Sequence, residues 1–235
     1  MEFHFRLRPL EAALDYPDGL VSWFTLSDGW YWITVGDHEL LRQPSGEGVD
    51  YYVDNFWEDV LSFAPDVLRP VPADLVPFVE SRPEAWAQSE RDAAWTAEMW
   101  HSSRKLFVGY LAQPPMIRGW RVVSDGRDEV TIAWYHEPGS TDVWADEPEG
   151  RVTVPTETFR AAVRDFDARW RAAMLDRTSE LERNYPEIAA EKQAGLAQEV
   201  KRHTSMLERR LAKPPEPEIA DLDLVRAGAA ELLAT

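Results

Sequence analysis

The histidines and the charged residues beside them are the side chains of this sequence whose types could do chemistry. The chain of 235 residues has five histidines. His136 is followed by Glu137, and an imidazole beside a carboxylate suits general acid–base catalysis. His101 lies in the polar stretch HSSRK. We take His136, Glu137 and His101 as the candidate catalytic residues, although no motif spacing supports the assignment.

A small positive cluster follows His101. Arg104 and Lys105 form the densest basic spot of an acidic segment, and they stand close to Trp100. Such a cluster could bind an anionic small molecule. The alternative is that both cations pair with acidic residues of the same protein.

A metal site would need three or four ligands at about 2 Å from one ion. Asp37 and His38 could join His136 and Glu137 only if two separate β segments meet. Because nothing in the sequence requires that contact, we predict no metal site and no cofactor.

Absent features exclude several common classes of protein. The chain has no cysteine, which removes disulfides, thiolate catalysis and cysteine zinc sites. It has no H-E-x-x-H, G-x-S-x-G, phosphate-loop or G-x-G-x-x-G motif, which counts against common hydrolases, kinases and dinucleotide enzymes. No apolar run of about 18 residues and no signal peptide is recognisable, so we expect a cytoplasmic protein without a membrane span.

The charge is unevenly distributed. The formal net charge is −17. Residues 1–150 contain 27 acidic and 11 basic residues, a difference of −16, whereas residues 151–235 contain 15 and 14, a difference of −1. The acidic part disfavours nucleic acid and favours a basic protein partner. Plain solubility is the alternative explanation of the acidic surface.

Aromatic residues crowd the stretch WFTLSDGWYWI at residues 23–33. Asp28 and Gly29 between two apolar runs predict a hairpin turn. Strand alternation then puts one group of aromatic side chains on one face and the rest on the other. The first face would hold Phe24, Leu26, Tyr31 and Ile33, and the second Trp23, Trp30 and Trp32. The second face is either covered by helices or a recognition surface. With Trp144 from a later acidic loop, these tryptophans are the candidate partner-binding anchors.

Periodicity indicates the elements that must position these residues. Asp54 looks like the N-cap of a helix over residues 55–63, with Phe56, Val60 and Phe63 as its buried stripe. Glu58 and Asp59 could be paired carboxylates on that helix, but a solvated face is the simpler interpretation. Residues 83–106 read as a longer helix. GWRVVS and EVTIAWYH flank a turn at residues 125–128.

The pattern changes after residue 155. Two helices joined near Pro186 predict an α-helical hairpin, and its second helix carries the apolar stripe Leu196, Val200, His203, Leu207 and Leu211. In that stripe a packed histidine is commoner than a ligand. Mixed charge on the polar faces suggests an exposed arm. We predict an α+β fold: an antiparallel β-sheet with packed helices in residues 1–155, a helical hairpin in 156–213, and a Pro-rich linker with a short tail helix in 214–235.

Several segments resemble a family of uncharacterised actinobacterial proteins, a domain of unknown function. They are FHFRLRPL, WFTLSDGWYWI, FWEDVLSFAPDVLRPVP, WHSSRKLFVGYL, GWRVV, VTIAW and FRAAVRDFDARW. The resemblance covers roughly residues 1–180, and residues after about 185 look like a variable extension. It implies no catalytic residue, cofactor or substrate.

Three functional hypotheses follow. The first is a protein-binding module of the immunity or adaptor type that holds a basic partner on an acidic aromatic surface. The second is an enzyme or small-ligand sensor with a pocket of His, Arg and Glu. The third is a structural component of a larger bacterial assembly, recruited or self-associated through the C-terminal helices.

Overall fold

The computed structural model describes residues 1–15, 21–136, 144–145, 147–213 and 221–234. Two antiparallel sheets and the helices packed on them give the predicted α+β fold. The first sheet contains β1 (Glu2–Leu7), β2 (Asp28–Val35), β3 (His38–Leu40) and β4 (Val49–Tyr52). The second contains β5 (Met116–Ser124), β6 (Arg127–Tyr135) and β7 (Glu149–Pro155). The helices are α1 (Leu10–Leu14), α2 (Trp23–Leu26), α3 (Val53–Leu68), α4 (Val76–Glu80), α5 (Asp92–Ser102), α6 (Thr156–Asn184), α7 (Pro186–His203), α8 (Met206–Ala212) and α9 (Leu222–Leu232).

The predicted hairpin turn at Asp28 and Gly29 is wrong. The residues before it form helix α2, whose first turn is closed by a capping box between Ser22 and Thr25. Asp28 and Gly29 instead begin β2, the strand that pairs with β1, β3 and β4. A Cβ at Gly29 would lie 2.3 Å from the carbonyl oxygen of Arg6 on β1. Glycine is therefore required here for the close approach of two strands.

Alternation along β2 itself agrees with the prediction. Tyr31, Ile33 and Val35 are buried, whereas Trp30 and Trp32 on the opposite face are half-buried. The buried face packs toward α3, where the rings of Tyr31 and Phe56 stack with centroids 4.2 Å apart. The other predicted members of the two faces lie on α2 and do not belong to the strand.

Helix α3 confirms the predicted apolar stripe but begins earlier than expected. Phe56, Val60 and Phe63 are buried in the main hydrophobic cluster. The N-cap position is Tyr52, and Asp54 lies in the first helical turn. Asp54 is therefore not a cap, and its carboxylate is available for tertiary contacts.

The predicted long helix over residues 83–106 is wrong in its first half. Pro83–Ala85 form a 3₁₀ turn, and α5 covers only Asp92–Ser102. Between them, the backbone N–H of Ala87 donates to the carbonyl oxygen of Leu232 on α9. This contact with α9 replaces helical hydrogen bonding in the segment.

The second sheet follows the sequence pattern closely. Ser124 pairs with Arg127 across a two-residue turn of Asp125 and Gly126, both at positive φ (50° and 79°). Such a turn matches the twist of the flanking strands. The predicted turn between the two strands is confirmed.

The C-terminal helices are packed onto the rest of the fold. The α6–α7 hairpin is confirmed, with the break at Tyr185 and Pro186, but its second helix ends at His203, and Leu207 and Leu211 of the predicted stripe lie on α8. Phe166, Trp170 and Leu196 lie in the same hydrophobic cluster as residues of β1, β2 and α3. The hairpin is thus not an exposed arm, because its apolar stripe is needed to complete this core.

The tail helix α9 packs on α5. A Cβ at Gly228 of α9 would lie 1.9 Å from the carbonyl oxygen of Ala93 on α5, which shows how closely the two helices approach. The division at residues 155 and 213 stays a prediction about domains. Within the described part of the chain, no helix has the length and apolar character needed to cross a membrane.

Candidate functional site

The four candidate anchor tryptophans lie in different surroundings. Trp23 and Trp144 are buried, with 5% and 6% of their surface exposed. The indole N–H of Trp144 donates to the carbonyl oxygen of Gln113 at 2.7 Å. These two rings therefore act as core side chains, and only Trp30 and Trp32 keep accessible ring surface.

Basic side chains lie over the two half-buried tryptophans of β2. The guanidinium carbons of Arg6 and Arg8 are 4.4 and 4.2 Å from the Trp30 ring centroid. That of Arg42 is 4.0 Å from the Trp32 centroid. These cation–π contacts cover a face that the sequence left open between burial and recognition. The role of Trp30 and Trp32 as partner-binding anchors stays a prediction.

His101 lies in a closed, positively charged environment. Its ring is 2% exposed and packs against Trp86, with centroids 4.8 Å apart. The Nε2 atom contacts Nη1 of Arg118 and is 3.3 Å from the carbonyl oxygen of Ser81. Burial, followed by the charge of Arg118, lowers the pKa of His101 to about 3. The imidazole is therefore neutral and enclosed at neutral pH, and a catalytic role of His101 stays a prediction.

Arg104 is also buried, with 3% of its surface exposed. Its guanidinium lies 3.8 Å from the Trp100 ring centroid and donates to the Trp100 carbonyl oxygen at 2.7 Å. Burial lowers the pKa of Arg104 to about 10. Lys105 is half-buried beside it. The guanidinium of Arg104 therefore contacts the ring and the carbonyl oxygen of Trp100. An anion site at Arg104 and Lys105 stays a prediction.

The remaining candidate catalytic pair cannot be assembled from the described residues. His136 is 9% exposed at the end of β6, and Glu137 lies outside the described residues. His38 does approach this region, since its ring is 5.0 Å from that of Trp134 on β6. Its Nδ1 atom is 3.7 Å from Oε2 of Glu147. A catalytic role of His136 and Glu137 stays a prediction.

A different group of acid–base side chains converges between α3 and α7. Asp54 and Glu58 are four residues apart on α3, and Glu199 and His203 are four residues apart on α7. Residues at this spacing share one helical face. Each helix therefore presents a pair of polar groups, and the two pairs face each other. We call Asp54, Glu58, Glu199 and His203 the acidic–histidine cluster.

His203 is the centre of this cluster. Its Nε2 atom lies 3.9 Å from Oδ1 of Asp54, 3.9 Å from Oε1 of Glu58 and 4.0 Å from Oε2 of Glu199. The residue is 1% exposed, and neither ring nitrogen has a hydrogen-bond partner among the described residues. A buried polar group without a partner costs free energy, so the arrangement is incomplete as it stands.

Two indole rings hold the imidazole in place. Trp23 stacks on His203 with centroids 4.9 Å apart, and Trp57 meets its edge at 4.8 Å. The indole N–H of Trp23 also donates to Oδ1 of Asp54 at 3.0 Å. The indole N–H of Trp57 donates to Oδ1 of Asp167 at 3.2 Å. These contacts fix the ring and one carboxylate without using the histidine nitrogens.

The charges in the cluster act in opposite directions on its carboxyl groups. Burial raises the pKa of Asp54, and the neighbouring imidazole of His203 opposes that effect. The imidazole of His203 lowers the pKa of Glu58, and the guanidinium of Arg202 adds to this lowering against the effect of burial. Arg202 bridges the pairs, at 3.0 Å from Glu58 and 2.6 Å from Glu199. The cluster therefore contains one carboxylate that would gain from a further cation.

A pocket opens directly onto this cluster. Its volume is about 470 Å³, and we call it the α2–α3–α7 pocket after the helices that contribute most of its wall. The wall contains both apolar and charged side chains, namely Val21, Trp23, Phe24 and Leu196 together with Asp54, Glu58, Lys192, Glu199 and Arg202. Gly195 of α7 belongs to the wall, and a Cβ added there would meet no atom within 4 Å. The pocket is thus open at the position where most residues would place a side chain.

Sequence reasoning missed this cluster although it named three of its members. Glu58 was expected on a solvated face and Asp54 as a helix cap, while His203 was expected to be packed. His203 is indeed packed, but its nitrogens face carboxylates. The available signal was the two i,i+4 pairs Asp54/Glu58 and Glu199/His203. Of the residues that the structure describes, Asp54, Glu58 and His203 form a group whose ligand atoms lie within 4.8 Å of one another, close enough to hold a metal ion.

Comparison with known proteins adds a family but no function. The chain matches no curated protein and no solved structure. A family model described as a family of unknown function, DUF5984, matches residues 2–228. This match extends well beyond residue 180 and includes the helices that carry Glu199 and His203. The chain therefore belongs to the DUF5984 family of unknown function.

Proposed function

We propose that this protein binds a small ligand with a cationic group in the α2–α3–α7 pocket, as a sensor or as an enzyme. The observation that carries the proposal is the buried His203, whose nitrogens have no hydrogen-bond partner in the described part of the chain and which faces three carboxylates that line that pocket. Convergent polar groups in a largely preformed concavity are the usual signature of a ligand site.

The size and the lining of the pocket support this function. About 470 Å³ falls within the range of small-molecule sites, about 300–1,000 Å³. Trp23 and Phe24 offer aromatic surface, while Asp54 and Glu58 offer negative charge. An aromatic wall next to carboxylates suits a cation. Lys192 and Arg202 also line the pocket and could bind an anionic group of the same ligand.

The test is ligand screening with a variant that fills the pocket. Thermal shift and calorimetry would cover amino acids, polyamines and amino sugars on the full chain. Gly195→Phe should abolish any binding, because its ring would occupy the space above Gly195. Gly195→Ala is the matched control and should bind normally. Binding that survives Gly195→Phe, or no binding by any compound, would contradict the proposal.

A second candidate function is the protein-binding module of the immunity or adaptor type with a basic partner. It is favoured by exposed apolar side chains on α5: Trp95 and Met99, one helical turn apart, are 52% and 44% exposed. Exposed large aromatic residues are typical interface anchors. The net charge of −17 would attract a basic protein.

This second function requires its own measurement. Affinity capture from the native host should retain a basic protein that elutes as salt rises, and the double variant Trp95→Ala/Met99→Ala should lose it. A matched variant on β2, Trp32→Ala, tests the anchor suggested by the sequence. If both variants retain the same protein, neither surface is the binding site.

A further inference from the structure

The acidic–histidine cluster has the donor set and the spacing of a metal site. It offers one imidazole nitrogen and three carboxylates, from two helices that face each other. Asp54, Glu58 and His203 place their ligand atoms within 4.8 Å of one another. Bonds of about 2.1 Å to a tetrahedral ion would require about 3.4 Å between ligand atoms. The separations of 3.9 Å from the imidazole and of up to 4.8 Å within the group must shorten to that value when an ion binds.

We propose that Asp54, Glu58 and His203 bind a divalent transition-metal ion such as Zn²⁺ or Mn²⁺ at the base of the α2–α3–α7 pocket, with Glu199 as a further ligand. The inference rests on the proposed function of this pocket and names the cation that it holds. An imidazole among the ligands favours a transition ion over Ca²⁺ or Mg²⁺, which prefer oxygen ligands throughout.

The surroundings of His203 suit a metal ligand better than a histidine that only packs in an apolar core. Both ring nitrogens lack a hydrogen-bond partner among the described residues, although the side chain is 1% exposed. His203 is also the last residue of α7, where the helix dipole favours a positive charge. An ion bound at Nε2 would satisfy that nitrogen and bring the carboxylates together.

Outer contacts already hold the proposed ligands. The indole N–H of Trp23 donates to Asp54, and the ring of Trp57 lies against the imidazole edge. Arg202 is within ion-pair distance of Glu58 and Glu199. The oxygens that Arg202 contacts, Oε1 of Glu58 and Oε2 of Glu199, are also the ones nearest to Nε2 of His203. An ion at Nε2 would therefore share these oxygens with Arg202 or take the second oxygen of each carboxylate.

The test uses the full chain, stripped with a chelator and then dialysed against Zn²⁺ or Mn²⁺ alone. We expect one equivalent of metal per chain by elemental analysis, and a higher melting temperature in the presence of the ion. His203→Gln and Glu58→Gln should each weaken affinity by about 100-fold or more, since each removes a direct ligand. His38→Gln and Glu187→Gln, matched in chemistry but outside the cluster, should bind as the unmodified chain does.

A second readout locates the ion. Mn²⁺ should broaden the NMR signals of the His203 ring more strongly than those of the other four histidine rings. Should His203→Gln and Glu58→Gln fail to fold by circular dichroism, Glu199→Gln at the pocket rim replaces them and should weaken binding by about 10-fold. No bound metal, or binding that is unchanged in all cluster variants, would overturn the site.

The outcomes separate this inference from the proposed function. An organic ligand that is lost in Gly195→Phe, with no retained metal, would overturn the metal site and leave the ligand pocket intact. Metal that is lost in the cluster variants, with no organic ligand in any screen, would support the metal site and contradict the proposed binding of an organic ligand.

Discussion

Two buried histidines of this protein, His101 and His203, have nearly the same packing and opposite electrostatic surroundings. They are 2% and 1% exposed, and each contacts two aromatic side chains. The nitrogen of His101 contacts Arg118, whereas that of His203 faces Asp54 and two further carboxylates. Burial among aromatic rings therefore does not decide the role of a histidine. The sign of the charge that faces its nitrogens does.

The two regions also differ in how closed they are. His101 is enclosed by α4, α5 and the second sheet, and Arg118 beside it donates to the carbonyl oxygens of Val79 and Ser81 at 3.1 and 2.9 Å. His203 lies beside carboxylates that line a pocket, and that pocket is open at Gly195. In the first region a ring nitrogen of the histidine has contacts with Arg118 and Ser81, whereas in the second the histidine nitrogens lack a hydrogen-bond partner in the described residues.

The largest expected effect comes from removing the cation beside His101. Arg118→Met should lower the free energy of unfolding by about 3 kcal/mol, because it removes the donor to two buried carbonyl oxygens. Chemical denaturation would measure the loss. Arg164→Met, exposed on α6, should change it by less than about 0.5 kcal/mol. Equal losses in the two variants would show that the His101 region does not depend on its arginine.

The next effect is the pH dependence that His101 brings. Its pKa is about 3 in the folded protein against an ordinary value of 6.5, so the unfolded chain binds the proton more readily. The stability is therefore fully present above pH 6.5 and is lost as pH falls from 6.5 toward 3. Between pH 8 and pH 5 we expect a loss of about 2 kcal/mol through this residue.

This pH effect is measured as a difference between variants. Urea unfolding of the unmodified chain and of His101→Gln at several pH values should show the difference in stability shrinking as pH falls. His38→Gln, half-buried on β3, is the control and should leave the pH dependence in place. A constant difference across pH would mean that His101 is not held neutral by its surroundings.

A substitution in the acidic–histidine cluster should stabilise the protein, whereas Arg118→Met should destabilise it. Asp54→Asn should raise the free energy of unfolding of the metal-free chain at pH 7 by about 1 kcal/mol, because burial raises the pKa of Asp54 and its ionised form is costly there. The amide can still accept from the Trp23 indole. Asp176→Asn, exposed on α6, is the control. A clear loss of stability in Asp54→Asn would indicate that His203 already stabilises this carboxylate by pairing with it.

The smallest effect tests the open wall of the pocket. Gly195→Ala should stabilise the protein by about 0.8 kcal/mol through helix propensity, because the added methyl group meets no atom within 4 Å. Thermal unfolding would measure this gain in stability, with Gln193→Ala on the same helix as the control. A destabilised Gly195→Ala would show that the wall is closed in solution.

Much of the fold follows from local patterns. The two-residue turn at Asp125 and Gly126, the buried stripe of α3 and the helix start at Pro186 all appear where the sequence predicts them. In each case the deciding forces act within a few residues, through turn geometry, helical periodicity and the absence of an N–H on proline.

The same local rules fail where a distant contact competes. Asp28 and Gly29 carry a strong turn signal, yet Gly29 is used for the approach of β1 to β2. Residues 83–91 carry helical periodicity, yet their backbone pairs with α9. Neither partner is visible from the local sequence, because each lies more than 20 residues away along the chain.

The candidate site also depends partly on local sequence and partly on tertiary contacts. By itself the sequence determined that Asp54 shares a helical face with Glu58, and Glu199 with His203, because a spacing of four residues is one helical turn. Only the tertiary structure decided that these two faces meet. The physical reason is the burial of apolar side chains in the hydrophobic core, which orients α3 and α7 and so brings three carboxylates to one buried imidazole.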